Sequence, residues 1–392
     1  MASWPVLERG RTVRVCVTGG AGQIAYALLP SICRGDMLGA DVRVSLRLLD
    51  IDVDAVQRRL VGVAMELHDC AFPLLDDVVC TPRLDVAFGG ADVVIMLGAF
   101  PRKEGMLRKD LIKRNAGIFK EQGAALQEHA APGVKVVVIG NPANTNTAVL
   151  RQCAPQLPST NFTALTRLDQ HRAAAFVASR AGVDVQHVKN VVVWGNHSAT
   201  MVPDVTSLAV VTDFPQSGIT SPALAALGAA SRAATSPSPL GGGGGSSDSD
   251  VDQWISTTFA AAVRQRGAAI IAQRGLGSAA SAARAIVEHV RSWLRGTAPG
   301  EVVSMGVLVS DIPSRRFYGI PDGVVFSVPV TCSLGQWRLV PHLTLNSWLR
   351  AQLHETAREL VDERNEAFGF LGLRGDADGT GGGGGASAAA KL

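Results

Sequence analysis

Short runs of apolar, mostly β-branched residues alternate with longer helical segments through the first part of the chain. Apolar runs at 13–17, 44–49, 93–97 and 134–139 are typical of buried strands. Strands that alternate with helices favour a parallel sheet whose two faces are both covered by helices. We therefore predict an α/β fold built on a doubly wound parallel sheet.

A glycine-rich turn, TGGAGQIA at 18–25, follows the first apolar run and leads into a helical segment at 26–32. Gly19, Gly22 and Ala25 occupy the three small positions of a dinucleotide-binding turn. These positions allow a sharp turn, close approach of the backbone to a pyrophosphate, and close packing of the helix. The positive end of the helix favours the phosphates, so the turn predicts a Rossmann-type nucleotide-binding sheet.

The second apolar run ends in Asp50, at the spacing expected for an acid that accepts hydrogen bonds from an adenosine ribose. A carboxylate there would repel a 2′-phosphate, which favours NAD over NADP. Gln23 and Ile24, in the glycine-rich turn, are further candidates for contact with the cofactor. The alternative for Asp50 is an ordinary exposed acid after a strand.

A carboxylate, a guanidinium and an imidazole lie within residues 165–197. Asp169 and Arg172 are close enough in sequence to share one side of a helix, and His197 follows an apolar run at 191–193. An Asp beside a His holds one imidazole nitrogen protonated and leaves the other to exchange a proton with substrate. An Arg binds a planar carboxylate through two parallel hydrogen bonds. In isolation these residues would more often be a packed or exposed His and a helix-start ion pair.

Two loops follow strands of the predicted sheet on the side where such sheets bind ligands. The segment at 98–111, before a helix predicted to start near Lys109, carries Arg102 and Arg108. We interpret it as a lid with charged side chains, and a solvated basic loop is the alternative. The turn after the fourth predicted strand presents Asn141 to cofactor and substrate.

Composition narrows the class of protein. The chain has 392 residues, of which 47% are hydrophobic and 18% charged, and this fits a globular enzyme of two domains. A net charge of +3 without a run of Lys and Arg gives no sign of nucleic-acid binding. Charged residues interrupt every long apolar run, so no membrane span is predicted. The cysteines lack the spacing of a metal finger, and no metal is expected.

The chain resembles the NAD-dependent malate dehydrogenases of the cytosolic type, within the lactate and malate dehydrogenase superfamily. The resemblance extends from about residue 13 to about residue 370. It rests on an ordered series of segments: TGGAGQIAY, LLDI, MELHDCAFPLL, PRKEGM, GNPANTN, LTRLDQHRA, WGNHSATMVPD, RQRGAAII and SAASAARAI. The resemblance implies a C-terminal α/β catalytic domain after the nucleotide-binding sheet.

The resemblance also implies roles for the charged residues. His197 would be the general acid and base, and Asp169 would orient it and stabilise its protonated form. Arg172 would anchor the carboxylate beside the reacting carbon, and Arg108 would polarise the carbonyl. Arg102 would bind the far carboxylate, which oxaloacetate has and pyruvate lacks.

Other positions match the family less specifically. Asn115 and Gln122 match positions near the cofactor, and Ser278 and Ser281 match small polar positions that face the pocket. The Gln-His pair at 170–171 departs from the family's more usual residues. The departure removes no charged group of the predicted site, so we expect it to affect lid motion or specificity and not the reaction.

We expect an NAD-binding domain at 1–160 and a catalytic domain at 161–372, in a protein that interconverts malate and oxaloacetate. By analogy with the family, a homodimer is expected. One alternative is a broader 2-hydroxy acid dehydrogenase, which would require a lid that tolerates monocarboxylates. Another is an inactive NAD-binding relative that acts as an interaction protein.

Two segments are rich in glycine and small residues. The insertion at about 212–252 and the tail at 373–392 lack enough apolar residues to build a core, and we predict that both are flexible. The final tripeptide, Ala390-Lys391-Leu392, is a variant of the Ser-Lys-Leu address read by a peroxisomal import receptor. A peroxisome-type organelle, including the glycosome, is therefore expected, with the cytoplasm as the alternative.

Overall fold

The computed structural model describes residues 11–101, 106–211, 253–310 and 312–373. The described helices are α1 (Gln23–Cys33), α2 (Asp54–Asp69), α3 (Leu84–Phe88), α4 (Arg108–His129), α5 (Ala143–Gln152), α6 (Arg167–Ala181), α7 (Ala260–Arg274), α8 (Ala280–Arg295) and α9 (Ser347–Leu371). A π-helical turn, Trp254–Phe259, precedes α7, and short 3₁₀ helices lie at Ser159–Asn161, Val185–His187 and Pro313–Tyr318. Arg102, the predicted insertion at 212–252 and the tail from 374 onward, including Ala390-Lys391-Leu392, lie outside the described residues.

The described strands form one large sheet and two short antiparallel pairs. They are β1 (Thr12–Thr18), β2 (Arg43–Leu49), β3 (Leu75–Thr81), β4 (Val93–Met96), β5 (Lys135–Val138), β6 (Phe162–Ala164), β7 (Val188–Lys189), β8 (Val192–Trp194), β9 (Val202–Asp204), β10 (Val210–Val211), β11 (Val303–Leu308), β12 (Val325–Ser333) and β13 (Gln336–Leu339). The large sheet has nine strands in the order β13-β12-β11-β6-β5-β4-β1-β2-β3.

The predicted doubly wound parallel sheet is confirmed. Strands β3-β2-β1-β4-β5-β6 pair in parallel, and the strand order reverses between β1 and β4, where such sheets bind ligands. Strands β11, β12 and β13 extend the same sheet with antiparallel pairing. The sheet is therefore mixed. The predicted domain boundary at residue 160 stays a prediction, and β6 follows it directly.

The four predicted strands are confirmed as β1, β2, β4 and β5, with small shifts at their ends. Strand β3 was not predicted, because two aspartates in its sequence LDDVVCT interrupt the apolar pattern. The sequence pattern also predicts a last helix over roughly 342–370, and the predicted start is wrong. Helix α9 begins at Ser347, because the Asn346 side chain caps it by accepting a hydrogen bond from the Leu349 N–H at 2.8 Å.

Each face of the parallel sheet packs into its own apolar core. In β1, Val15 and Val17 belong to the core on one face, and Cys16 belongs to the core on the other, with Val94 and Met96 of β4. Burial on both sides explains why these strands appear as continuous apolar runs without polar alternation. None of the described helices combines the length and apolar character that crossing a bilayer requires.

The Gln-His pair that departs from the family pattern anchors α6 to its neighbours. Gln170 Oε1 accepts a hydrogen bond from the Ser304 N–H of β11 at 2.9 Å. His171 Nε2 lies 2.7 Å from Glu288 Oε2 on α8, and Arg284 forms a second ion pair with Glu288. The hydrogen bond from His171, together with the nearby positive charges, lowers the pKa of Glu288 from 4.5 to about 2 against the opposing effect of burial. Helix α6, which carries the predicted acid and arginine, is therefore linked to both β11 and α8.

Glu288→Gln should destabilise the protein near neutral pH by about 1–3 kcal/mol, because the paired carboxylate is lost. A carboxylate whose pKa is lowered by folding stabilises the native state above its unfolded pKa, and the contribution is lost as pH falls. The difference in urea midpoint between wild type and variant should therefore be full above pH 4.5 and shrink toward pH 2. Glu121→Gln, at an exposed position of α4, is the control. A difference that persists unchanged at low pH would contradict the ion pair.

Candidate active site

The glycine-rich turn approaches its neighbouring strand closely. Gly19 has a φ of +67°, and a Cβ there would lie 2.9 Å from the Gly98 nitrogen, so the position requires glycine. Gly22 immediately precedes α1 and provides no side-chain cap, which leaves the first N–H groups of the helix available to an anion. Ala25 has no exposed surface, as expected for the helix-packing position. These features fit the pyrophosphate of a dinucleotide.

Asp50 joins the end of β2 to the same turn. Its Oδ2 accepts a hydrogen bond from the Ala21 N–H at 2.9 Å, and its Oδ1 accepts one from the Ile51 N–H at 2.9 Å. Because a carboxylate oxygen has two lone pairs, both oxygens retain capacity for ribose hydroxyls. Gln23 is exposed and Ile24 is half-buried in the first turn of α1.

Asp169, Arg172 and His197 come together as predicted. Asp169, in the first turn of α6, is fully buried and hydrogen-bonds His197 Nδ1 through Oδ2. Arg172 Nη1 donates to Asp169 Oδ1 at 3.2 Å, and its Nη2 donates to Ser278 Oγ at 3.1 Å. Since a carboxylate accepts hydrogen bonds, Nδ1 carries a proton and Nε2 is left for proton exchange. Ser281, the other small polar candidate, is exposed at the start of α8.

The pKa of His197 is set by opposing effects. Burial lowers it, but the charge of Asp169 and the hydrogen bond to it outweigh burial and the opposing charge of Arg172, so that the pKa is raised above its ordinary value. Protonated His197 is therefore favoured by its partner. This is the electrostatic arrangement that a general acid and base requires near neutral pH.

The loop that carries His197 is fixed at several backbone groups. Gly195 has a φ of +89°, and a Cβ there would overlap the Thr356 side chain of α9. Asn144, fully buried at the start of α5, accepts a hydrogen bond from the His197 N–H at 3.0 Å. Its Nδ2 donates to the carbonyls of Gly195 at 3.2 Å and Val325 at 2.9 Å. Asn144 was not identified from the sequence, although the cluster of polar residues in the GNPANTN segment after a buried strand was a signal.

Asn115, Asn141 and Gln122, which were predicted to lie near the cofactor, differ in burial and in hydrogen bonding. Asn115 is fully buried, accepts a hydrogen bond from the Phe100 N–H at 2.7 Å and donates to the Asn141 carbonyl at 3.0 Å. It therefore connects the lid segment to the turn after β5, and contact with cofactor stays a prediction. The Asn141 side chain is exposed. Gln122 is buried, and its Oε1 has no hydrogen-bond partner among the described residues.

Arg108 is the predicted lid arginine that the structure describes, and it begins α4. Its Nε and Nη2 donate to Glu363 Oε1, the former at 3.0 Å, and Nη2 lies 3.3 Å from Glu359 Oε1. Burial would lower the pKa of Arg108, but the two carboxylates raise it. Neither glutamate was identified from the sequence. They lie more than 250 residues from Arg108, and a helix rich in charged residues gave no signal for them.

Comparison with known proteins identifies the family. The family model of the lactate/malate dehydrogenase NAD binding domain matches residues 13–163, and that of the alpha/beta C-terminal domain matches residues 166–226 and 244–371. The chain belongs to the lactate/malate dehydrogenase family. This confirms the predicted resemblance, and the match to the NAD binding domain confirms NAD as the cofactor.

Relatives within the lactate/malate dehydrogenase family carry both names. The cytoplasmic malate dehydrogenase of Homo sapiens is 46% identical over 359 residues, which cover 92% of this chain and 98% of that protein. The malate dehydrogenase structure from Naegleria fowleri gives a TM-score of 0.79 at 39% identity and covers 93% of this chain and 100% of that one. The Trichomonas vaginalis lactate dehydrogenase in complex with NADH and oxamate gives 0.79 at 38% identity, covering 92% and 99%.

Proposed function

We propose that this chain is an NAD-dependent malate dehydrogenase that interconverts malate and oxaloacetate. The observation that carries the proposal is the buried Asp169 bonded to both His197 and Arg172, in a chain whose glycine-rich turn fits a dinucleotide. The 46% identity to a cytoplasmic malate dehydrogenase over 92% of the chain supports it.

His197 transfers the proton of the reaction. The glycine-rich turn and Asp50 would hold NAD, which would supply the hydride acceptor for malate or, as NADH, the hydride donor for oxaloacetate. In the reducing direction His197 Nε2 donates its proton to the carbonyl oxygen, and in the oxidising direction it removes the hydroxyl proton. Asp169 stabilises the imidazolium electrostatically and holds the tautomer through its hydrogen bond to Nδ1.

The arginines recognise the substrate. Arg172 binds the carboxylate next to the reacting carbon, since each of its Nη atoms retains an N–H beyond the bonds to Asp169 and Ser278. Arg108 polarises the carbonyl, and Arg102 binds the second carboxylate. Asn141, whose exposed side chain lies at the carboxyl end of β5, contacts cofactor and substrate.

A broader 2-hydroxy acid dehydrogenase remains the second candidate. It is favoured by the similarity to the Trichomonas vaginalis lactate dehydrogenase, at 38% identity. The difference depends on Arg102, because a monocarboxylate offers no partner for a second arginine. An inactive relative is disfavoured by the intact acid-base pair.

NADH oxidation by the purified protein, with oxaloacetate, pyruvate and phenylpyruvate compared side by side, tests the proposal. Oxaloacetate should react fastest, and Arg102→Gln should lower its kcat/KM by roughly 10²–10⁴-fold, because about 3–5 kcal/mol of charge pairing is lost. Lys103→Gln, in the same loop, is the matched control and should retain kcat/KM within about threefold. Preference for pyruvate would support the broader dehydrogenase, and absence of turnover with all three would support the inactive relative.

We also propose a homodimer. Tyr26 on α1 and Val61 and Met65 on α2 are at least half exposed, at 53%, 50% and 62%, and Val61 and Met65 lie one turn apart on their helix. Ile271, near the end of α7, and Leu276, just after it, are also exposed, at 54% and 48%. Exposed apolar faces of this kind are typical of subunit interfaces.

Sedimentation at micromolar concentration should show a species of twice the 40.9 kDa chain mass. Met65→Glu should shift it toward the monomer, because a charge in an apolar interface is costly to bury. Leu334→Glu, at an exposed apolar residue between β12 and β13, is the matched control and should leave the dimer intact. A wild-type monomer would contradict the proposal.

The cellular location stays a prediction. The human relative is a cytoplasmic malate dehydrogenase, which supports the cytoplasmic alternative. Recognition of Ala390-Lys391-Leu392 by a peroxisomal import receptor depends on residues outside those that the structure describes. It therefore rests on the sequence alone.

A further inference from the structure

Helix α9 carries a buried carboxylate, Glu363, that contacts several elements of the candidate site. Glu363 is only 4% exposed, and it accepts hydrogen bonds from residues of three other parts of the fold. These are Arg108 Nε at 3.0 Å, Thr145 Oγ1 at 2.7 Å and Asn196 Nδ2 at 3.0 Å. One side chain thus connects α4, α5, α9 and the loop after β8.

Each of these partners either belongs to the proposed machinery or is adjacent in the chain to His197 or to a residue that holds it. Asn196 directly precedes His197 in the chain. Thr145 directly follows Asn144, whose side chain accepts a hydrogen bond from the His197 N–H. Arg108 is itself the residue proposed to polarise the carbonyl. Glu363 is therefore bonded directly to Arg108 and to the residue that precedes His197.

The bonds to Glu363 use one edge of the Arg108 guanidinium. Nε and Nη2 face the carboxylate, and Nη2 also lies 3.3 Å from Glu359 Oε1. Nη1 takes no part in these contacts. A guanidinium held along one edge has a fixed plane, and its remaining N–H groups then have a defined direction.

A negative charge at position 363 matters chiefly for Arg108. Thr145 and Asn196 are neutral donors, and the amide oxygen of a glutamine could accept from them. A carboxylate that is this buried is costly unless a cation pairs with it, and Arg108 provides that cation. Glutamine at this position therefore removes the charge pairing with Arg108 while retaining size and an acceptor.

We propose that Glu363 is a positioning residue for the reaction, holding the Arg108 guanidinium at a fixed place relative to His197. The inference rests on the proposed function, in which both groups act on one carbonyl oxygen. Because that oxygen gains negative charge only as the reaction proceeds, correct placement of Arg108 matters most in the transition state.

Glu363→Gln should lower kcat for oxaloacetate reduction by roughly 10–100-fold and leave KM within about threefold. With NADH deuterated at the transferred position, the primary isotope effect on kcat should rise, because hydride transfer becomes slower relative to product release. Loss of folded protein would lower kcat without changing the isotope effect. Glu363→Asp, which retracts the charge by one methylene, should shift both quantities in the same direction and serves if the glutamine variant does not fold.

The matched control is Glu366→Gln. Glu366 forms an ion pair with Lys113 at 2.9 Å, which also joins α9 to α4 but does not involve Arg108. This variant should retain kcat within about twofold and the wild-type isotope effect.

A double-mutant cycle with Arg108→Gln separates the inference from the proposed function. If Glu363 acts through Arg108, Glu363→Gln should have almost no further effect on kcat in the Arg108→Gln background. A Glu363→Gln variant with wild-type kcat, or an equal loss of kcat in both backgrounds, would overturn the inference while Arg108→Gln alone remains impaired. If Arg108→Gln itself retains kcat, the proposed role of Arg108 fails, and the inference fails with it.

Discussion

The site depends on the fully buried carboxylate of Asp169 and its two partners. A carboxylate without exposed surface is stable only when cations or donors compensate it, and here His197 and Arg172 do so through separate oxygens. The same requirement fixes both partners in place. The contacts that stabilise this carboxylate are thus the same contacts that place His197 and Arg172, the proposed proton-transfer and carboxylate-binding groups.

Helix α9 carries a second buried carboxylate that is compensated by a cation. Its buried Glu363 is compensated by Arg108, and Thr356 on the same helix accepts a hydrogen bond from the Asn196 N–H at 2.9 Å. Gly195 permits the close approach of the His197 loop to Thr356, because any side chain at that position would overlap it. Helix α9 thus contacts both the loop that carries His197 and Arg108, the proposed lid arginine.

Local signals in the sequence were sufficient for the elements around the glycine-rich turn. Apolar runs located β1, β2, β4 and β5, and the glycine-rich turn located the start of α1. Contacts between residues far apart in the sequence could not be predicted from such local signals. The contacts of Glu363 with Arg108 and Asn196 join residues 255 and 167 positions apart, and no periodicity encodes them. Strand β3 was missed because its two aspartates pair with arginines of β2, Asp76 with Arg43 and Asp77 with Arg47, which allows charged residues within the sheet.

The pH dependence of kcat/KM in both directions, for wild type and Asp169→Asn, tests the central claim most directly. Reduction of oxaloacetate requires protonated His197 and should decline as pH rises through its pKa, whereas oxidation of malate should decline as pH falls through the same value. Asparagine removes the charge that raises this pKa, so both limbs should move to lower pH, with kcat reduced by roughly 10²–10⁴-fold. Limbs that stay at their wild-type positions in Asp169→Asn would contradict the assignment of His197 and Asp169 as the acid-base pair.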